Sequence, residues 1–130
     1  MTYEEPQPLE LLATDRGPDV VEIRISGDLD YETADDLVRA VDEVLAARPD
    51  VRELALHCGG AGMCDSMGLS ALLMVKRRTL AQGVRLRLVE RPPALTRLLG
   101  LTGTDVYLGD DRAAAPEEGR QPSSGDTLPG

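Results

Sequence analysis

Asp65-Ser66-Met67-Gly68 places a carboxylate, a hydroxyl, a thioether and a glycine side by side, directly ahead of Leu69-Ser70-Ala71-Leu72-Leu73. An apolar run ending at Cys58 and the segment Gly59-Gly60-Ala61-Gly62 precede them, a pattern that predicts a strand, a tight loop and then a helix. The chemistry-bearing residues therefore fall in the first turn of a helix. Unpaired N–H groups and partial positive charge there favour a capping oxygen or an anionic group such as phosphate. Ser66 has two readings, an N-cap or a phosphate acceptor, and the cap is the commoner role for a serine ahead of an apolar helical run. Asp65 reads as a dipole partner or turn former. Asp28 and Asp30, in Gly27-Asp28-Leu29-Asp30, read as loop acids open to solvent or to a partner.

Three further chemistries can be weighed from residue types. His57, Cys58 and Cys64 can each ligate zinc, but a structural site needs four ligands, and with no other His or Cys in the chain Asp65 would have to be the fourth. A buried strand thiol and a partly buried imidazole is the simpler reading, so neither a metal nor any other cofactor is expected. Cys64-Asp65-Ser66-Met67-Gly68 lies at a strand-to-helix turn, as a hydrolase nucleophile elbow does, yet Cys64 stands where that motif has glycine. The chain is also far too short for that scaffold, so no catalytic residue is assigned and the protein is not expected to be an enzyme. Gly59-Gly60-Ala61-Gly62 lacks both the G-x-G-x-x-G spacing and the Lys-Ser/Thr ending of phosphate-cradling loops.

The elements that must position these residues follow from periodicity. Leu9, Leu11 and Ala13, then Val21, Ile23 and Ile25, alternate on either side of Arg16-Gly17-Pro18-Asp19 and predict a hairpin. Ala34, Leu37, Val38, Val41, Val44 and Leu45 predict a first helix between a Thr33 cap and a Pro49 stop. Leu54, Leu56 and Cys58 form a third strand, and Ala55 on its other face predicts a central strand covered on both sides. A second helix runs from about Ser66 to Gln82, with Leu69, Leu72, Leu73 and Leu80 inward, Lys76-Arg77-Arg78 near its negative end and Gly83 beyond it. Val84, Leu86 and Leu88 form a fourth strand. Pro92-Pro93 opens a short helix carrying Leu95, Leu98 and Leu99, and Val106-Tyr107-Leu108 is a candidate fifth strand. The expectation is an α/β domain over 8–108, a mixed four- to five-stranded sheet packed with about three helices. Residues 1–7 are expected to be a flexible N-terminus and 109–130 a disordered acidic tail.

With 130 residues and 42% hydrophobic composition, one modest core is possible. No apolar stretch is long enough to span a membrane, and the first residues lack signal-peptide features, so a cytoplasmic location is expected, with both cysteines as thiols. The net charge of −9 opposes binding to nucleic acid or an anionic membrane surface. Five acids against two arginines within residues 110–126 leave −6 of that charge to the rest, so the predicted fold is acidic in its own right. A protein partner is expected, and the domain needs no second copy to complete its core, so it is expected to be a monomer when free.

Gly27-Asp28-Leu29-Asp30, Asp65-Ser66-Met67-Gly68-Leu69, and Arg91-Pro92-Pro93-Ala94 followed by Leu98-Leu99-Gly100-Leu101-Thr102-Gly103 occur in an order and spacing that resemble a bacterial STAS domain of the anti-sigma factor antagonist family. The resemblance covers roughly residues 8–108. It implies a non-catalytic protein that binds a serine-kinase anti-sigma factor and so frees a sigma factor. It also implies a partner-binding surface of Asp28, Asp30, Asp65, Ser66, Met67 and Gly68. The family pattern is Asp-Ser-Ser/Thr-Gly, whose second hydroxyl residue accepts phosphate and switches the antagonist off. Here Met67 holds that position and a thioether cannot be phosphorylated, which leaves Ser66 as the retained neighbour and implies an antagonist that is constitutively active. The alternative is a STAS-type scaffold or signalling module with a different protein partner.

Overall fold

A computed structural model describes residues 8–108; the expectations for residues 1–7 and 109–130 lie outside the described residues. The chain runs β1 (Glu10–Asp15), β2 (Val20–Leu29), α1 (Ala34–Ala47), β3 (Glu53–Cys64), α2 (Ser66–Ala81), β4 (Arg85–Val89) and α3 (Pro93–Thr102). The sheet order is β1-β2-β3-β4. β1 and β2 form the antiparallel hairpin, while β2, β3 and β4 are parallel and joined through α1 and α2. Parallel neighbours require such crossovers, and they bring the C-terminal ends of β2, β3 and β4 to a single edge of the sheet.

One face of the sheet holds the core. Val21, Ile23 and Ile25 of β2, Leu54, Leu56 and Cys58 of β3, and Leu86 and Leu88 of β4 are buried there. They join one cluster with Leu37, Val41 and Leu45 of α1, Leu72 and Val75 of α2, and Leu95 and Leu99 of α3. The alternate strand positions carry charge. Glu22 accepts from Arg16 at 2.8 Å and Glu53 from Arg87 at 2.8 Å. Ala55 is buried, as a central strand demands, but its register partners are Glu22 and Arg87, so long charged neighbours cover it.

Four expectations are corrected. Gly59-Gly60-Ala61-Gly62 is not a tight loop: β3 continues through it, pairing Gly60 with Ser26 and Ala61 with Gly27 across two register shifts. A Cβ on Gly60 would stand 2.9 Å from the Ile25 carbonyl oxygen, so glycine at this position permits the close backbone approach. Val106–Leu108 forms a turn and not a fifth strand, closed by the Leu108 N–H donating to the Thr104 carbonyl at 2.9 Å, with Leu108 itself buried. Leu80 is 55% exposed; Thr79 takes the inward position instead, its hydroxyl donating to the Lys76 carbonyl at 2.9 Å. Thr33 stands at the N-cap of α1 but makes no side-chain cap bond to that helix.

Burial pushes the Cys58 thiol up to about 12 and the Cys64 thiol up to about 11, from an ordinary value of 9.0. The fold thus holds both protons more tightly than the unfolded chain does. The resulting stability is present below pH 9 and is lost as the pH rises from 9 toward 12 for Cys58 and toward 11 for Cys64, by up to about 1.4 kcal/mol per pH unit for each thiol within its own range. Urea unfolding across this range will show declining stability, and Cys58→Ala will make the decline shallower.

Candidate functional site

The parallel edge gathers three segments: the end of β2, the end of β3 and the start of α2. At their centre, the Asp65 N–H donates to the Leu29 carbonyl at 3.3 Å, tying the helix start to the β2 terminus. Gly68 lies beneath this contact. A Cβ there would fall 2.2 Å from the Leu29 oxygen and 2.9 Å from its carbonyl carbon, so only glycine permits the approach.

Asp65 is the N-cap of α2. Its Oδ1 accepts from the Gly68 N–H at 2.9 Å, and its carbonyl accepts from the Leu69 N–H at 2.9 Å. Ser66 is therefore not the cap; it is the first helical residue, and its side chain is exposed. A carboxylate one position earlier already bonds a free N–H of the first turn, which leaves the serine hydroxyl outside that network.

Asp28 and Asp30 are buried, at 8% and 9% exposure, so they are not solvated loop acids. Asp28 Oδ1 accepts from the Met63 N–H at 2.9 Å, joining the β2 end to the β3 end. A Cβ on Gly62 would meet that same oxygen at 2.4 Å. Asp30 Oδ1 accepts from the Glu32 N–H at 2.9 Å and its carbonyl from the Ala34 N–H at 2.8 Å, turning the chain into α1. Thr33 Oγ1 donates to the Asp28 carbonyl at 3.0 Å and accepts from the Asp30 N–H at 2.9 Å. These carboxylates hold the loops in place, while other side chains form the outer surface.

Three large side chains stand exposed in these segments. Met67 is 50% exposed, Met63 55% and Tyr31 72%. Met67 also lines a groove of ≈ 280 Å³ between α1 and α2, with Ala34, Val38, Ala71 and Met74 along it and Asp35 and Arg78 on its rim. Arg78 is bonded to Asp42 of α1, which fixes the two helices together beside the groove. The exposure of Met63 and Tyr31 was not anticipated from the sequence. The available signal was two large apolar residues beside glycines and acids, where no core periodicity accounts for them.

The zinc ligands considered from sequence do not converge. Cys58 Sγ donates to the Leu56 carbonyl at 3.5 Å and Cys64 Sγ to the Asp65 carbonyl at 3.7 Å, while His57 Nδ1 accepts from the Gly59 N–H at 3.4 Å. Among the described residues, no group of three or more His, Cys, Asp and Glu side chains is placed to hold a metal ion. Nor is any helix among them long and apolar enough to cross a membrane.

The family model described as "Mlab, STAS domain" matches residues 12–110. The chain belongs to the STAS domain family. Among solved structures, this STAS domain is similar to an anti-sigma factor antagonist from Mycobacterium paratuberculosis, at 27% identity and a TM-score of 0.66 over 80% of this chain and 86% of that one. It shares its fold with the anti-sigma factor antagonist SpoIIAA in its unphosphorylated form, at 17% identity and a TM-score of 0.65 over 86% of this chain and 99% of that one. A sulfate transporter family protein from Wolinella succinogenes has the same fold at 23% identity and a TM-score of 0.59, over 69% of this chain and 71% of that one. Comparison with curated proteins gives no match.

The bonding pattern separates the roles of adjacent residues. Asp65→Ala will cost about 1 kcal/mol of stability and Ser66→Ala less than about 0.5 kcal/mol. Gly68→Ala will cost about 2–3 kcal/mol, because the intruding methyl meets main chain. Urea unfolding of the three variants checks this order, and equal losses for Asp65→Ala and Ser66→Ala would contradict the cap assignment.

Proposed function

We propose that this STAS domain is an anti-sigma factor antagonist: a cytoplasmic protein, monomeric when free and without catalytic activity, that binds a serine-kinase anti-sigma factor and thereby releases a sigma factor. The observation that carries this reading is Met67 itself, a large apolar side chain left exposed in the first turn of α2 on a helix end pinned by Asp65 and Gly68. Similarity to the M. paratuberculosis antagonist supports it. Asp65, Ser66 and Met67 present the contact surface. Asp28, Asp30 and Gly68 shape that surface from beneath.

Met67 decides the regulation. A phosphate here would bring about −1.5 to −2 charges to a helix start beside Asp65 and would disrupt a close-fitting apolar contact. A thioether cannot receive it, so the domain stays in its binding form. The unbranched, polarizable side chain also adapts readily to a partner's groove. Control then rests on the abundance of the protein or of its partner.

The same position offers a second reading, a STAS scaffold for a partner without kinase activity, since a surface that cannot be phosphorylated needs no kinase. Affinity capture of the tagged protein from its own organism, with mass spectrometry, distinguishes the two. Recovery of a kinase-type anti-sigma factor with Ser66 unmodified is expected, and absence of every such kinase would favour the scaffold.

With the recovered kinase and ATP, Met67→Ser will become phosphorylated, whereas the natural sequence will not. Met67→Glu will weaken binding at least about tenfold, roughly 1.4 kcal/mol, by placing a charge in the apolar contact. Calorimetry measures the affinities. Phosphate found on Ser66 of the natural sequence would overturn the assignment of Met67 as the lost switch.

A further inference from the structure

The opposite end of the sheet carries a cleft of ≈ 510 Å³, lined by Asp19, Arg52, Glu53, Leu80, Gly83 and Arg85 among others. Main-chain bonds build its floor. The Asp19 carbonyl accepts from the Arg52 N–H at 2.7 Å and the Glu53 N–H at 3.1 Å, and the Arg85 N–H donates to the Arg52 carbonyl at 2.8 Å. The turn before β2, the approach to β3 and the start of β4 are thereby locked together, so the cleft is a fixed feature of the sheet end.

Three observations give the cleft a chemical character. First, Arg52 and Arg85 both line it in a chain of net charge −9. Second, their charges are incompletely answered. Glu53 is held by Arg87 at 2.8 Å while Arg85 stands 3.8 Å away, and among the described residues the Arg52 side chain has no hydrogen-bond or ion-pair partner. Third, Leu80 stands 55% exposed on the wall, a large apolar side chain at a helix position where the sequence predicts core. A wall of this kind gains from covering by an aliphatic group, and a guanidinium fork matches a carboxylate in geometry and charge. Asp19 and Glu53 in the same lining disfavour a polyanion, because each added negative charge meets a carboxylate.

We infer that this cleft binds a small organic monocarboxylate, its carboxylate received by Arg52 and Arg85 and its aliphatic body lying on Leu80. The ligand occupies the sheet end remote from Met67, so its binding does not depend on which protein the parallel edge engages.

The test is an amide NMR titration of the full chain with hexanoate, with hexanamide and with inorganic phosphate, at constant ionic strength. Saturable shifts confined to Val20, Arg52, Glu53, Gly83, Val84 and Arg85 are expected with hexanoate. Hexanamide and phosphate should bind at least about tenfold more weakly, as should hexanoate to Arg52→Gln, the loss of one charge-assisted hydrogen bond. Leu80→Asn should weaken hexanoate without altering the response to phosphate. Both variants alter exposed side chains, and an unchanged unfolding midpoint will report an intact fold. Non-saturating shifts, equal responses to hexanoate and hexanamide, preference for phosphate, or unaltered affinity in Arg52→Gln would each overturn the inference.

Discussion

A helix carrying a Cβ at position 68 cannot sit as close to the Leu29 carbonyl as α2 does, and most of the site geometry follows from that contact. With glycine there, the α2 start seats against the β2 terminus and the Asp65 N–H reaches the Leu29 oxygen. The same approach sets the direction in which Ser66 and Met67 leave the fold. Gly62 has a matching role at the end of β3, where the space a methyl would fill is taken by the Asp28 carboxylate. Two small residues thus let the ends of β2 and β3 and the start of α2 converge.

The larger elements were legible in the sequence because their apolar periodicities are long and their boundaries are marked by Gly and Pro. Val21, Ile23 and Ile25 could only alternate in a strand, and Leu37, Val41 and Leu45 could only share a helix face. What failed was local. The run Gly59–Gly62 has turn composition, and its strand conformation depends on pairing with β2, which no local pattern encodes. Leu80 was assigned inward from hydrophobicity alone, whereas the helix phase places Thr79 there with its hydroxyl satisfied by the preceding turn. Val106 to Leu108 have strand-like side chains but close as a turn.

At the site, the sequence singles out residues that the fold places at one end of the sheet, but the environments it suggests for Asp28, Asp30 and Ser66 differ from those observed. Asp28 and Asp30 carry charge and lie in a Gly-containing segment, which reads as exposed. In the fold each carboxylate meets main-chain N–H groups that would otherwise lack partners at strand and helix ends. Ser66 has the composition of a cap, but Asp65 precedes it and takes the bond. Tyr31, Met63 and Met67 stand exposed in the same segments, while the Asp28, Asp30 and Asp65 carboxylates are turned to main chain.

The carboxylate bonds at Met63, Glu32 and Gly68 also bear on the thermodynamics of association. Each one orders a backbone segment before any ligand arrives, so the entropy of fixing these loops is met during folding and not at encounter. On the proposed function, a surface so prepared would dock as a rigid body, with the side-chain rotamers of the methionines as its main adjustable feature. Its heat-capacity change on association would then track the apolar area covered, without the larger contribution that accompanies coupled folding.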